Sequence, residues 1–222
     1  MEEHIAKVLK VESVTHDVRR FTVSKPDGYS FIPGQATEVS INRKLLKDES
    51  RPFTFTGLNE WPLLEFTIKI YTDHHGVTGE LGKIKEGDEL IIHDVWGAIN
   101  YKGPGVFIAG GAGVTPFIAI FRNLQKENKL GGNCLIFSNK TEKDIILKDE
   151  FEKMLGKNFY NTLTKEKNDK YDHRRINEVF LKEQVKDFGQ NFYICGPDPF
   201  VKDITETLTK LGAKSDSVVF EK

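Results

Sequence analysis

The chain has 222 residues, enough for one large domain or two compact ones with a real core. Lys plus Arg is 32 and Asp plus Glu is 33, a formal net charge of -1, so the basic footprint of a nucleic-acid binder is missing. Hydrophobic residues make up 38% and charged residues 29%, with 16 phenylalanines, which excludes a disordered chain. No run approaches the roughly 18 apolar residues that would span a bilayer, and the opening MEEHIAKVLK lacks the apolar centre of a secretion signal. The expectation is work in the cytoplasm, without membrane insertion.

Up to about residue 100 the chain reads as short alternating or β-rich runs: HIAKVLKVESV, VRRFTVSK, ATEVSI, RPFTFTG, LLEFTIKIY and ELIIHDV. Pro26-Asp27-Gly28, Pro33-Gly34 and Glu86-Gly87-Asp88 supply turns between them. Several short strands at this spacing predict an antiparallel barrel or sandwich, with one brief helix at Thr78–Ile84. After Gly103-Pro104-Gly105 the texture changes to buried strands alternating with helices, the pattern of a parallel sheet covered on both faces. Strands are expected at Val106–Ala109, Cys134–Ser138, Phe159–Leu163, Phe192–Cys195 and Val218–Phe220. Helices are expected at Pro116–Lys126, Leu147–Leu155, Arg175–Glu183 and Pro199–Leu211. The division is therefore into residues 1–101 and 105–222 around a short linker, with no internal repeat.

Cys134 and Cys195 each sit in an apolar run, NCLIF and NFYIC, where a reduced thiol is the usual state. Two thiols cannot ligate an iron–sulfur cluster, which takes four cysteines or a Cys/His mixture. The adjacent His74 and His75 point apart in an extended chain, so no metal site is expected there.

The segment Phe107-Ile-Ala-Gly-Gly-Ala-Gly-Val-Thr-Pro116 runs from a strand through glycines 110, 111 and 113 into a helix. Glycines let backbone approach a phosphate, and the N–H groups and helix dipole supply the attraction. A tight strand-to-helix turn uses the same residues, and Pro116 stands where a full G-x-G-x-x-G pattern has its third glycine. The next strand ends Phe137-Ser138-Asn139-Lys140 without the carboxylate that accepts from an NAD ribose. Ser138 and Lys140, with Arg174 or Arg175 from a nearby loop, suit a 2′-phosphate, so NADP is favoured over NAD, although a solvated loop lysine reads the same way. Tyr193-Ile-Cys-Gly-Pro-Asp-Pro199 places Cys195 at a strand end on the sheet edge where such folds bind ligands, a position equally open to a core cysteine.

In the first half, Arg51-Pro52-Phe53-Thr54 puts a guanidinium and an aromatic on one face of a strand and a hydroxyl on the other. A guanidinium suits a phosphate and a ring suits a flat heterocycle, while an ordinary strand with an exposed arginine fits too. Gly76-Val77-Thr78 adds a second phosphate seat at a helix start.

In this order and at these separations, the segments together resemble the ferredoxin–NADP reductase superfamily, most closely its short bacterial flavodoxin or ferredoxin reductases. RPFT is similar to the family's Arg-x-Tyr-Ser/Thr flavin motif, GVT to its pyrophosphate motif, GGAGVTP to its NADP-phosphate loop and YICGP to its nicotinamide-side Cys-Gly motif. The resemblance implies a flavin-binding β-barrel followed by an NAD(P)-binding α/β domain, with FAD and NADP as cofactors and the isoalloxazine at their interface. It implies that Arg51 holds the flavin pyrophosphate with Pro52 beside it, that Phe53 stacks, and that Thr54 hydrogen-bonds near flavin N5. Gly76, Val77 and Thr78 take the pyrophosphate from the other side, with Ile68, Lys69 and Ile70 along the flavin's flank. Gly111, Ala112, Gly113, Thr115 and Pro116 form the dinucleotide loop, Thr115 facing both cofactors, and Ser138, Lys140 and Arg175 take the 2′-phosphate. Cys195, Gly196 and Pro197 lie beside the nicotinamide.

Two departures stand out. Phe53 lacks the tyrosine hydroxyl, which removes one hydrogen bond worth about 0.5–1.5 kcal/mol net. At the carboxyl end Glu221 matches the family's acid, but the terminal aromatic that covers the flavin is absent unless Phe220 or another residue substitutes. The implied activity is hydride transfer from NADPH to FAD, then single electrons to a flavodoxin or ferredoxin. The rivals are an electron-transfer subunit of a larger complex, such as a dihydroorotate dehydrogenase partner with its cysteine cluster, and a module that binds flavin without turnover.

Overall fold

A computed structural model describes residues 2–71, 76–97 and 99–220. The chain forms two compact units, Met1–Gly97 with Thr115–Asn123, and Ala98–Val114 with Leu124–Lys222.

The first unit is an antiparallel barrel of six strands. They are β1 (His4–Ser13), β2 (Val18–Ser24), β3 (Ala36–Ile41), β4 (Arg51–Thr54), β5 (Leu63–Lys69) and β6 (Glu89–Ile92), in the order β4-β3-β6-β1-β2-β5. β3 has the bounds expected from its sequence, and the others end within a few residues of theirs. The alternating apolar positions converge on a phenylalanine-rich core in which Phe31 stacks on Phe55 at 4.1 Å between centroids and Phe55 meets Phe66 at 5.1 Å. The short helix α1 spans Val77–Leu81, not Thr78–Ile84: the Gly82 N–H closes onto the Gly79 and Glu80 carbonyls and ends it, while Val77 and Leu81 enter the core.

The second unit carries an all-parallel sheet of β7 (Gly105–Gly110), β8 (Cys134–Asn139), β9 (Phe159–Leu163), β10 (Asn191–Cys195) and β11 (Val218–Phe220), in the order β11-β10-β7-β8-β9. Every residue of β7 is buried, as its unbroken apolar run requires of a central strand. Helices α2 (Thr115–Lys126), α3 (Lys148–Leu155), α4 (Glu178–Gln184) and α5 (Asp198–Lys210) follow the expected alternation. α4 starts three residues later than Arg175 because Asn177 caps it, its side chain accepting from the Phe180 N–H at 2.9 Å.

The stretch expected as a linker is clasped. The Lys102 N–H donates to the Tyr193 hydroxyl at 2.8 Å, and that hydroxyl donates to the Gly103 carbonyl at 2.8 Å. Tyr193 in turn stacks on Phe107 at 4.3 Å. Among the described residues no helix is long and apolar enough to cross a membrane.

Candidate functional site

In the barrel, the strands at the two ends of the sheet order meet along a short seam. Phe55 bridges Phe66, and the Thr56 N–H donates to the Glu65 carbonyl at 2.8 Å. Among the described residues no ladder joins β4 to β5 beyond that point. Continued in the same antiparallel register, Arg51–Thr54 runs opposite Thr67–Ile70, so two unpaired strand edges face each other. Backbone donors and acceptors left unmatched along such an edge need a partner. These two edges are the RPFT and Ile68–Ile70 segments singled out in the sequence.

Their side chains divide the work. Arg51 and Pro52 are exposed, Phe53 is half-buried against the barrel core, and Thr54 is buried. The Arg51 guanidinium donates to the Ser50 carbonyl at 2.6 Å and makes no ion pair among the described residues. Ile68 points into the core, leaving only its backbone edge to a ligand, and Lys69 is held by Asp17 at 2.7 Å. Ile70 lies one residue past the end of β5, and Gly76, Val77 and Thr78 open α1.

A buried polar cluster that sequence reading missed braces this seam. Glu65 accepts from the Thr56 hydroxyl at 2.8 Å and pairs with Arg122 at 2.6 Å, and Arg122 also donates to the Thr56 carbonyl at 2.8 Å. The Thr67 hydroxyl lies 3.1 Å from that of Thr56, and the guanidinium sits over the Trp61 ring. The pair spans 57 residues of sequence, so no local pattern announces it.

In the second unit the chain order reverses between β7 and β10, the place where open parallel sheets bind ligands. Backbone, more than side chain, builds this edge. A Cβ on Gly113 would overlap the Cys195 carbonyl and the Gly196 nitrogen, and one on Gly196 would stand 2.8 Å from the Phe200 ring. The glycine loop and the Cys-Gly-Pro turn are thus packed main chain to main chain. Gly111–Val114, including Ala112, forms a 3-10 turn that passes into Thr115 and Pro116 at the start of α2. Cys195, Gly196 and Phe220 line a cleft of about 650 Å³ with Asp198, Val201 and Lys202, and Pro197 precedes α5. Both thiols are unbridged, and burial pushes the Cys134 thiol up to about 11, which leaves it inert.

At the tip of β8, Ser138 pairs with Gly110 and is partly buried, while Lys140 is exposed. Arg175 is exposed and makes no ion pair among the described residues. Arg174, its alternative in the sequence reading, is committed to Asp172 at 2.6 Å and Glu183 at 2.7 Å. Glu221, His74 and His75 lie outside the described residues.

The antiparallel barrel and the five-stranded parallel sheet make a two-domain fold of the ferredoxin–NADP reductase-like kind. Residues 107–206 match the oxidoreductase NAD-binding domain family. A ferredoxin NADP+ reductase from Neisseria gonorrhoeae, solved with bound FAD and NADP, superimposes with a TM-score of 0.86 at 20% identity, covering 99% of this chain and 98% of that one. The flavohem-like FAD/NAD-binding domain of nitric oxide dioxygenase from Vibrio cholerae gives 0.86 at 20% identity, covering 97% and 96%. By sequence, the chain is 25% identical to the reductase component of propane 2-monooxygenase from Rhodococcus jostii over 97% of its own length, and spans 62% of that relative. It is 23% identical, again over 97%, to the ferredoxin–NAD(P)+ reductase component of the naphthalene 1,2-dioxygenase system of Pseudomonas putida, and spans 69% of it.

Proposed function

We propose that the chain is a flavin-dependent NAD(P)H oxidoreductase that binds FAD on residues 1–101 and NADP, or NAD, on residues 105–222. When bound, the two cofactors supply the chemistry: the nicotinamide gives up a hydride to the flavin, and the flavin releases the two electrons singly. The chain's own contribution is to bind and orient, and bringing two reactants into contact geometry can supply about 7–11 kcal/mol of barrier reduction.

The observation that carries the reading is the open seam of the barrel. A flat heterocycle with donors and acceptors on its rim satisfies two facing strand edges as a third strand would. Arg51 supplies charge for the pyrophosphate, Phe53 an aromatic face, and Thr54 a hydroxyl. Gly76, Val77 and Thr78 offer main-chain N–H groups to the same pyrophosphate. On the second unit, the loop from Gly111 through Thr115 and Pro116 cradles the dinucleotide phosphates, Ser138, Lys140 and Arg175 receive the 2′-phosphate, and Cys195 shapes the contact with the nicotinamide.

The electron acceptor in this reading is a flavodoxin or ferredoxin, and the place of work is the cytoplasm. The reductase components among the sequence relatives support a protein acceptor. Anaerobic titration of the FAD-loaded protein with NADPH and NADH, followed at the flavin absorbance, tests the core of the proposal. Stoichiometric bleaching, with recovery of colour on adding oxidised flavodoxin or ferredoxin, is the expected result. Flavin that stays oxidised in excess NADPH and NADH would make the chain a binding module instead.

A further inference from the structure

We infer that Arg122 is a positioning residue of the flavin site: bonded to both lips of the barrel seam where they part, it sets how far apart the open edges stand and turns the start of α2 towards them. The inference rests on the flavin reading above and names a residue which that reading leaves out.

The seam has a closed end and an open end. At the closed end the Thr56 N–H reaches the Glu65 carbonyl, and past Phe55 and Phe66 no ladder among the described residues holds Arg51–Thr54 to Thr67–Ile70. Backbone pairing therefore does not fix the width of the gap, and the side chains at its closed end must. One nitrogen of Arg122, Nη1, donates to the Thr56 carbonyl on the first lip at 2.8 Å and to Glu65 Oε1 on the second at 2.6 Å. The Thr56 hydroxyl donates to the same carboxylate oxygen at 2.8 Å and lies 3.1 Å from the hydroxyl of Thr67, the next residue along β5 from Phe66. Thr56, Glu65 and Thr67 are all buried, so these bonds form with little competition from water.

Holding a spacing is a different task from holding a fold. For stability a buried ion pair is a poor choice, since apolar residues of similar volume serve as well or better. It is a good choice where two backbones have to stand at one distance, because each bond has a set length and direction. The guanidinium also lies over the Trp61 ring, 5.5 Å from its centroid, which limits its swing. The helix that carries it is tied to the same edge, for Thr115–Asn123 groups with the barrel. Thr115 precedes Arg122 by seven residues, close to two full turns, so both side chains leave the same face of α2, about 10 Å apart along its axis. With Arg122 anchored on the seam, Thr115 is turned to the same side.

Equilibrium binding of FAD, with the visible circular dichroism of the bound flavin, tests this without turnover. Glu65→Leu/Arg122→Met fills the same space with apolar side chains and removes the bonds between the lips. The flavin-free double variant should melt within a few degrees of the unmodified protein, yet bind FAD at least about tenfold more weakly and with an altered dichroism. Glu65→Asp keeps the charge pair but shortens the link by one methylene, and should weaken FAD by about threefold or more with the dichroism altered too. If the double variant melts far below the unmodified protein, the Asp variant decides. A stable double variant, or in the other case an Asp variant, with unchanged FAD affinity and dichroism would overturn the inference and leave the pair a brace. Absence of FAD binding to the unmodified protein would instead overturn the flavin reading itself.

Discussion

The two units make their binding edges by opposite means. The barrel leaves a gap between strands and dresses it with side chains: Arg51, Phe53 and Thr54 on one lip, with the buried Glu65–Arg122 pair bracing the closed part of the seam. The parallel sheet has no such gap between neighbouring strands and makes its binding edge from main chain, with Gly113 and Gly196 packed so closely that neither tolerates a Cβ without movement. On the barrel, then, function should respond to side-chain chemistry with the fold intact. On the sheet, the same stretch of backbone carries both function and fold, and cannot be altered for one alone.

The largest effect should come from removing the brace. Glu65 and Arg122 have side chains only 11% and 10% exposed, so Glu65→Ala removes the carboxylate that faces a buried guanidinium and should cost about 3–5 kcal/mol in denaturant melts. The double variant Glu65→Leu/Arg122→Met should recover most of that loss, since well-packed apolar pairs replace buried ion pairs at little cost. Failure to recover would mean that the pair does more than neutralise itself.

Next comes Gly113→Ala. The new methyl has nowhere to go but into the Cys195 carbonyl, so stability should fall by about 2–3 kcal/mol and dinucleotide binding should weaken in the same protein. Arg51→Ala makes the contrast. It removes an exposed, charge-assisted donor, so FAD affinity should drop at least about tenfold while the melting temperature of the flavin-free protein stays put. Should Arg51→Ala unfold the barrel, or Gly113→Ala bind dinucleotide normally, the proposed division between side-chain and main-chain edges is wrong.

The smallest effect is electrostatic. Hydrogen bonds from Lys182, and then Lys210, hold the Glu178 carboxyl down at about 2. Its native pKa is lowered, so the stabilisation is complete above the unfolded value near 4.5 and disappears as pH falls towards 2. Glu178→Gln should therefore flatten the acid limb of the melting curve between those values, with a slightly lower melting temperature at neutral pH and no difference from the unmodified protein near pH 2. A steeper limb in the variant would reverse the sign of this account.

The alternation of texture at Gly103-Pro104-Gly105 was enough to read two domains, because strand and helix periods are local properties of sequence. β9 and β11 have the expected bounds for the same reason: each is a short run rich in aromatic or β-branched residues that follows a polar turn. α4 begins three residues after the expected start although its signal is local, since Asn177 carries the capping side chain that sets the first turn. The open seam is not legible, because it depends on register between β4 and β5, whose chains meet among the described residues just past the end of β4, through Phe55–Phe66 and the Thr56–Glu65 hydrogen bond. Arg122 is not legible either: in sequence it is a single arginine in a helix, and only the fold brings Glu65, 57 residues earlier, to meet it.

A gap between two strands is also a hazard. Unpaired edges invite a strand from another molecule, and proteins guard them with charge and proline. Pro52 has no N–H to offer, and Arg51 places a cation at the lip, so the motif proposed to hold the flavin doubles as a guard for the chain without it. Cofactor loading then becomes a matter of solubility as well as activity. The flavin-stripped protein should self-associate more readily than the loaded one, and replacing Pro52 by a residue with a free N–H should widen that difference.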